Sequence, residues 1–110
     1  MDKPLHNAFK ALEYLRKETG IVDLSTLTVS ILFLVAEKEN IPMKDIEPVM
    51  NLSQSAVSRH IERLSIDLQL VSAKEDPEYR KRKLVALTPQ GRKLVAAVEA
   101  ILMGTSKKAG

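Results

Sequence analysis

The hydrophobic pattern of this chain changes period once and then changes back, and few folds accommodate that. Up to Leu70 the apolar residues recur mostly at helical spacing. Over "LVSAKEDPEYRKRKLVALT" they fall into two short β-prone runs, with Asp76-Pro77 marking a turn between them. Thr88 and Pro89 then suit the N-cap and first position of a helix, and helical spacing returns through Leu94, Val95, Val98, Ile101 and Leu102. A basic-tipped hairpin is enclosed between helices. The expected class is mainly α (α+β), with one two-stranded hairpin.

Ahead of the hairpin, Leu5, Phe9, Leu12 and Leu15 define an amphipathic helix that Gly20 ends. The next segment, "DLSTLTVSILFLVAEKEN", is apolar all round at its centre, so its period does not separate a buried helix from a buried strand. Ser25 or Thr26 as N-cap, and Asn40 at the far end, favour a helix. "IPMKDIEPVM" predicts a short helix from about Pro42, with Ile46, Val49 and Met50 facing inward. Pro48 lacks a donor, so that helix should kink or tighten there. Asn51 fits a left-handed turn, and Ser53 caps a further helix.

That helix reads "QSAVSRHIERL". At about 100° per residue with Gln54 as zero, Val57, Ile61, Leu64 and Leu68 cluster between roughly 280° and 340°. Gln54, Ser58, Glu62, Ser55 and Arg59 fall between roughly 0° and 140°. The helix docks by a narrow stripe and leaves a wide Ser, Gln and Arg face in solvent. A face of that composition suits a partner with hydrogen-bonding edges and negative charge.

Helix, helix, short helix, turn, helix, hairpin, helix is the order of a winged helix-turn-helix. It reads as a single domain over residues 1–104, with the helix-turn-helix at about 42–66, the wing at about 70–88 and a flexible tail at 105–110. The net charge of +3 is unevenly placed: residues 53–93 hold nine Lys/Arg against five acids. A basic half of this kind implies a polyanionic partner. There is no cysteine, the two histidines lie in different helices, and the four glycines form no phosphate-cradling loop. Catalysis, a cofactor and a metal site are therefore not expected. The first residues, "MDKPLHNAFK", contain no apolar leader, and the longest apolar run, "ILFLVA", is too short to span a bilayer, so a cytoplasmic protein without a membrane partner is expected.

Two segments carry a resemblance to a known family: "LTVSILFLVAEKENIPMKDIEPVMNLSQSAVSRHIERL" and "LVSAKEDPEYRKRKLVALTPQGRKL". Together they cover about residues 27–94 and resemble the MarR family of winged-helix transcription regulators. The resemblance implies a homodimer that sets two recognition helices in successive major grooves and two wings toward flanking minor grooves. It implies DNA contacts from Ser53, Gln54, Ser55, Ser58 and Arg59, with Arg80, Lys81 and Arg82 at the wing tip. Helices at the chain ends would make the dimer. The sequence also departs from the family. Tyr79 and Lys81 stand where the wing usually shows an Asp and an Arg, which predicts that the orienting Asp–Arg pair is missing. Gln69 replaces a common Gly, and Ala73 a common Arg. Glu47 and Pro48 replace a small residue and an ordinary helix former. Both ends are short, which predicts truncated dimer helices and a reduced or absent effector pocket.

The chemistry of these residue types agrees with such a role. Serines reach phosphates or base edges, Gln54 can pair with adenine, and Arg59 can take guanine N7 and O6 together. Arg63 is a further candidate contact, with a surface ion pair as its alternative. His60 is read as a partly buried flank residue, and Tyr79 as packing at the hairpin base. In a regular hairpin Arg80 and Arg82 would share one face, and Lys81 and Lys83 the other, unless they lie in the turn. Leu5, Phe9 and Leu12, with Leu94, Val98 and Ile101, are the candidate dimer interface; the alternative is that they close the chain's own core. A pseudo-palindromic operator and a repressor follow from this reading. The competing class is a winged-helix protein-interaction module, or a phage or plasmid replication or partition factor.

Overall fold

The computed structural model describes residues 3–104; the expected tail at 105–110 lies outside them. The elements are α1 (Pro4–Thr19), α2 (Thr26–Glu37), β1 (Ile41–Pro42), α3 (Met43–Met50), α4 (Gln54–Glu62), a π-helical turn (Arg63–Asp67), β2 (Val71–Glu75), β3 (Lys83–Leu87) and α5 (Pro89–Leu102). They form two compact units, one of residues 25–92 and one of residues 1–24 with 93–110.

In the unit of residues 25–92, α2 is the central helix. The Ser25 hydroxyl accepts from the Leu27 N–H at 3.1 Å. Thr28, Val29, Ile31, Leu32, Leu34 and Val35 are all buried, and burial on so many sides explains a segment apolar all round. Asn40, at φ 56°, then turns the chain into β1. Here the expected two-stranded hairpin proves incomplete. Ile41 pairs with Val85 and Pro42 with Leu84, giving an antiparallel three-stranded sheet of order β1-β3-β2. Pro42 is extended (φ −61°, ψ 134°), so α3 starts one residue later than predicted. A proline is tolerated there because β1 is an edge strand.

α3 buries Ile46 completely, but Val49 is 60% exposed and does not face inward as predicted. Its inner side runs instead through Met43, Ile46 and Met50, each with reduced exposure. Pro48 lies inside the helix, which ends within three residues. The Asn51 and Leu52 N–H groups both close onto the Glu47 carbonyl. Asn51 adopts the predicted left-handed conformation (φ 54°, ψ 48°).

α4 packs against α2 and α3 through the narrow stripe: Val57, Ile61 and Leu64 have at most 2% exposure. Burying three such side chains contributes roughly 1.5–3 kcal/mol each. Past Glu62 the helix widens. The Arg63 N–H is shared between the Arg59 and His60 carbonyls, and the Leu68 N–H reaches back five residues to the Arg63 carbonyl at 3.0 Å. This π turn breaks the regular wheel, and Leu68 is only half-buried.

Gln69 follows at φ 56°. A left-handed backbone costs a residue with a Cβ about 1–2 kcal/mol, which gives the position a physical preference for glycine. Gln69→Gly is expected to stabilise the protein by about 0.5–1 kcal/mol, the entropy of glycine offsetting part of the relief. Thermal melting of the two proteins checks this; an unchanged or lower midpoint contradicts it.

The last helix starts under tight constraint. The Thr88 hydroxyl donates to the Gln69 carbonyl (2.8 Å) and accepts from the Gly91 N–H (2.9 Å), while the Thr88 N–H donates to the Leu70 carbonyl (3.0 Å). A Cβ on Gly91 would stand 2.0 Å from that same Leu70 oxygen.

In the other unit, Pro4 opens α1 and Gly20, at φ 73°, closes it. The Asn7 side-chain amide donates to the Leu102 carbonyl at the end of α5 (3.0 Å). The apolar residues of α1 form two stripes. Ala11 and Leu15 are buried, whereas Leu5, Phe9 and Leu12 are 88%, 58% and 48% exposed and lie within about 60° of one another on the wheel. α5 divides differently: Leu94, Val98 and Ile101 are buried within the single chain, and only Leu102 and Met103 remain exposed. Of the candidate dimer residues, those on α5 therefore belong to the chain's own interior. No described helix is long and apolar enough to cross a membrane.

Candidate nucleic-acid interface

The polar face of α4 is built by its cap and its stripe. Ser53 accepts from the Ala56 N–H at 3.2 Å, and its oxygen lies 3.3 Å from the Ser55 hydroxyl. With Val57 and Ile61 locked inward, the residues at i, i+1, i+4, i+5 and i+8 must point out. Gln54, Ser55, Ser58, Arg59 and Glu62 are all exposed and line one shallow groove. The helical wheel puts Glu62 on this face, although the family resemblance does not include it among the DNA contacts.

Arg63 is exposed as well, and lines a second cleft with Ser25, Thr28, Arg59, His60, Glu62, Ile66 and Asp67. His60 forms the inner wall. Its Nδ1 is 2.9 Å from the Thr28 hydroxyl, which is almost wholly buried. Burial, and then the charges of Arg59 and Arg63, hold the His60 imidazole below its ordinary pKa and favour the neutral ring. His60 is thus a brace between α4 and α2, in keeping with its flank position. The sequence does not announce this cleft; its one signal is the N-cap serine of α2, whose place beside Arg63 only the tertiary fold reveals.

The wing pairs Val71 with Leu87 through Glu75 with Lys83. Its tip is more ordered than the sequence suggests. The Arg82 N–H donates to the Tyr79 carbonyl (2.8 Å), which puts Arg80 and Lys81 at the corner of a tight turn. The Asp76 N–H donates to the Arg82 carbonyl (2.8 Å). One Asp76 carboxylate oxygen accepts from the Glu78 N–H (2.9 Å), and the other accepts from Arg82 Nε (3.1 Å). Arg82 also lies over the Tyr79 ring, 5.4 Å from its centroid.

Two expectations are corrected by this arrangement. An Asp–Arg pair does exist, formed by Asp76 and Arg82 rather than at Tyr79 and Lys81. Tyr79 is 61% exposed and serves as a platform for Arg82 rather than as packing at the hairpin base. Asp76, at 7% exposure, is the buried anchor of the loop. Arg80, Lys81 and Arg82 are all exposed, and none is confined to the alternating faces of a strand. Among the described residues no group of three His, Asp or Glu side chains is placed to hold a metal ion.

Three helices, an edge strand and a hairpin with a basic tip define a winged helix. Residues 24–91 match the winged helix DNA-binding domain family, and the chain belongs to it. No curated protein matches the chain by sequence. Solved structures do match. The Staphylococcus aureus MepR–DNA complex is similar at TM-score 0.72 and 18% identity, over 93% of this chain and 83% of that one. YusO from Bacillus subtilis gives TM-score 0.70 and 18% identity, over 91% and 67%. The regulator BldR from Sulfolobus solfataricus gives 0.64 and 24%, over 93% and 72%. At these identities the shared property is the fold, and it is the fold of the MarR-type regulators that the motifs resemble.

Proposed function

We propose that this protein is a transcription regulator, acting as a repressor, that binds a specific double-stranded DNA site as a homodimer. The observation that carries the proposal is the face of α4: Gln54, Ser55, Ser58 and Arg59 are exposed together on a helix whose opposite side is buried. Such a helix enters the major groove, and its N-terminal end brings free backbone N–H groups toward phosphate. Ser53 and Arg63 flank it. Arg80, Lys81 and Arg82 supply charge toward the neighbouring minor groove, where a guanidinium held by Asp76 and Tyr79 loses little freedom on binding. That the similar MepR structure is a DNA complex supports the same reading.

The second copy docks through Leu5, Phe9 and Leu12, a stripe exposed without evident need in a lone chain. Leu102 and Met103 extend the candidate surface on α5. A two-fold dimer asks for a pseudo-palindromic site with half-sites about one helical turn apart.

The test is selection of bound duplexes from a random pool, repeated at two salt concentrations. An enriched inverted repeat, with affinity falling steeply as salt rises, is the expected result. A pool with no enriched motif would instead favour a protein-interaction module. Replacing Arg80 and Arg82 together by alanine is expected to weaken selected and random duplexes alike, by about tenfold, and to flatten the salt dependence by up to about two charges. A loss confined to the selected duplex would show that the wing reads sequence rather than adding charge.

A further inference from the structure

We infer that Glu62 is a specificity-determining residue that reads a cytosine in the major groove. The inference rests on the DNA-binding reading above and assigns to one residue of that face a role opposite in sign to its neighbours.

Glu62 is the acid in the groove otherwise lined by Gln54, Ser55, Ser58 and Arg59. It is exposed, and although Arg59 is three residues back and Arg63 is next in sequence, it joins neither in an ion pair. Its carboxylate therefore reaches the groove unneutralised. On a surface approaching phosphates such a charge opposes binding to every duplex, since like charges repel and counterion release is diminished. That penalty is lifted only where the DNA presents a donor. A carboxylate offers acceptors alone, and cytosine N4 places a lone donor in the major groove, whereas guanine offers only acceptors there. An uncompensated acid on a reading face is thus a device for rejecting wrong sites.

Position sets where the cytosine should lie. Glu62 is eight residues beyond Gln54 on the same face, about 12 Å along the helix axis. With base pairs stacked about 3.4 Å apart, the cytosine falls up to about three base pairs from the base under Gln54. Arg59 lies between them.

The experiment repeats the duplex selection with Glu62→Gln and Glu62→Ala in the full chain, and measures affinity for random duplex. Glu62 is exposed and bonds nothing through its carboxylate among the described residues, so both variants are expected to melt with the parent. Three results together support the inference. The parent selects cytosine at one position in each half-site. Both variants lose that preference, with about tenfold less discrimination there and the other positions intact. Random duplex binds the variants about threefold more tightly. An unchanged motif in both variants overturns the inference. So does loss of the guanine preference expected under Arg59, because Glu62 would then act only by orienting that arginine. Failure of the parent to select any motif sinks the DNA-site reading itself, a distinct outcome.

Discussion

Arg59→Ala is expected to cost a selected duplex about 1–3 kcal/mol of binding, while random duplex loses much less. The asymmetry follows from the surroundings of the side chain. Arg59 is exposed on the outer face of α4, it shares in no ion pair among the described residues, and its backbone is fixed by Val57 and Ile61 packed below. Nothing in the free protein competes for its guanidinium, so its planar fork is available to take guanine N7 and O6 together. Fluorescence titration of a labelled selected duplex and a scrambled one, at the same salt, measures both losses. Equal losses on the two would make Arg59 a phosphate contact and remove it from the base-reading set. Arg59→Lys sharpens the test: it keeps the charge but not the fork, so a bidentate contact predicts that lysine rescues random binding and not selected binding.

Gly91→Ala is expected to destabilise the protein by about 3 kcal/mol, at the upper end of overpacking effects. The added methyl would sit 2.0 Å from the Leu70 carbonyl oxygen, which is backbone and cannot rotate aside. That oxygen already accepts from the Thr88 N–H, so any shift also strains the cap of α5. Against a total stability of about 5–15 kcal/mol, such a loss is visible in any denaturant titration. Gln90→Ala, one position earlier and exposed, is the matched control and should change little. A Gly91→Ala protein as stable as its parent would mean that the Leu70 and Gly91 backbones separate more easily than the hydrogen bonds around them imply.

Much of the reading site was legible in the sequence because it is locally encoded. The N-cap at Ser53, the left-handed Asn51, the stripe of Val57, Ile61 and Leu64, and the cap at Thr88 each depend on residues within a turn or two of one another. What stayed hidden depends on chain segments far apart. Ile41 and Pro42 are too short a run to show a strand period, and they pair with residues near Val85. The clamp of Asp76 on Arg82 crosses a loop, and the sequence pattern pointed to Tyr79 and Lys81 instead. Gly91 carries no local mark beyond being glycine, since its constraint is the distance to Leu70. The two apolar stripes of α1 and the inward stripe of α5 look alike in sequence, and only packing separates Leu5, Phe9 and Leu12 from Leu94, Val98 and Ile101.

The widened turn over Arg63–Asp67 holds one more residue per turn than an α-helix. Chain length can therefore change there without unwinding anything upstream. Losing one residue would tighten the coil and swing everything beyond it by about 100° around the α4 axis. The groove-facing side chains before Arg63 would stay where they are, while the hairpin would be aimed elsewhere along the duplex. A single-codon deletion at this point is thus a route by which descendants of this protein could keep the same recognised bases and alter the distance between them and the minor-groove contact.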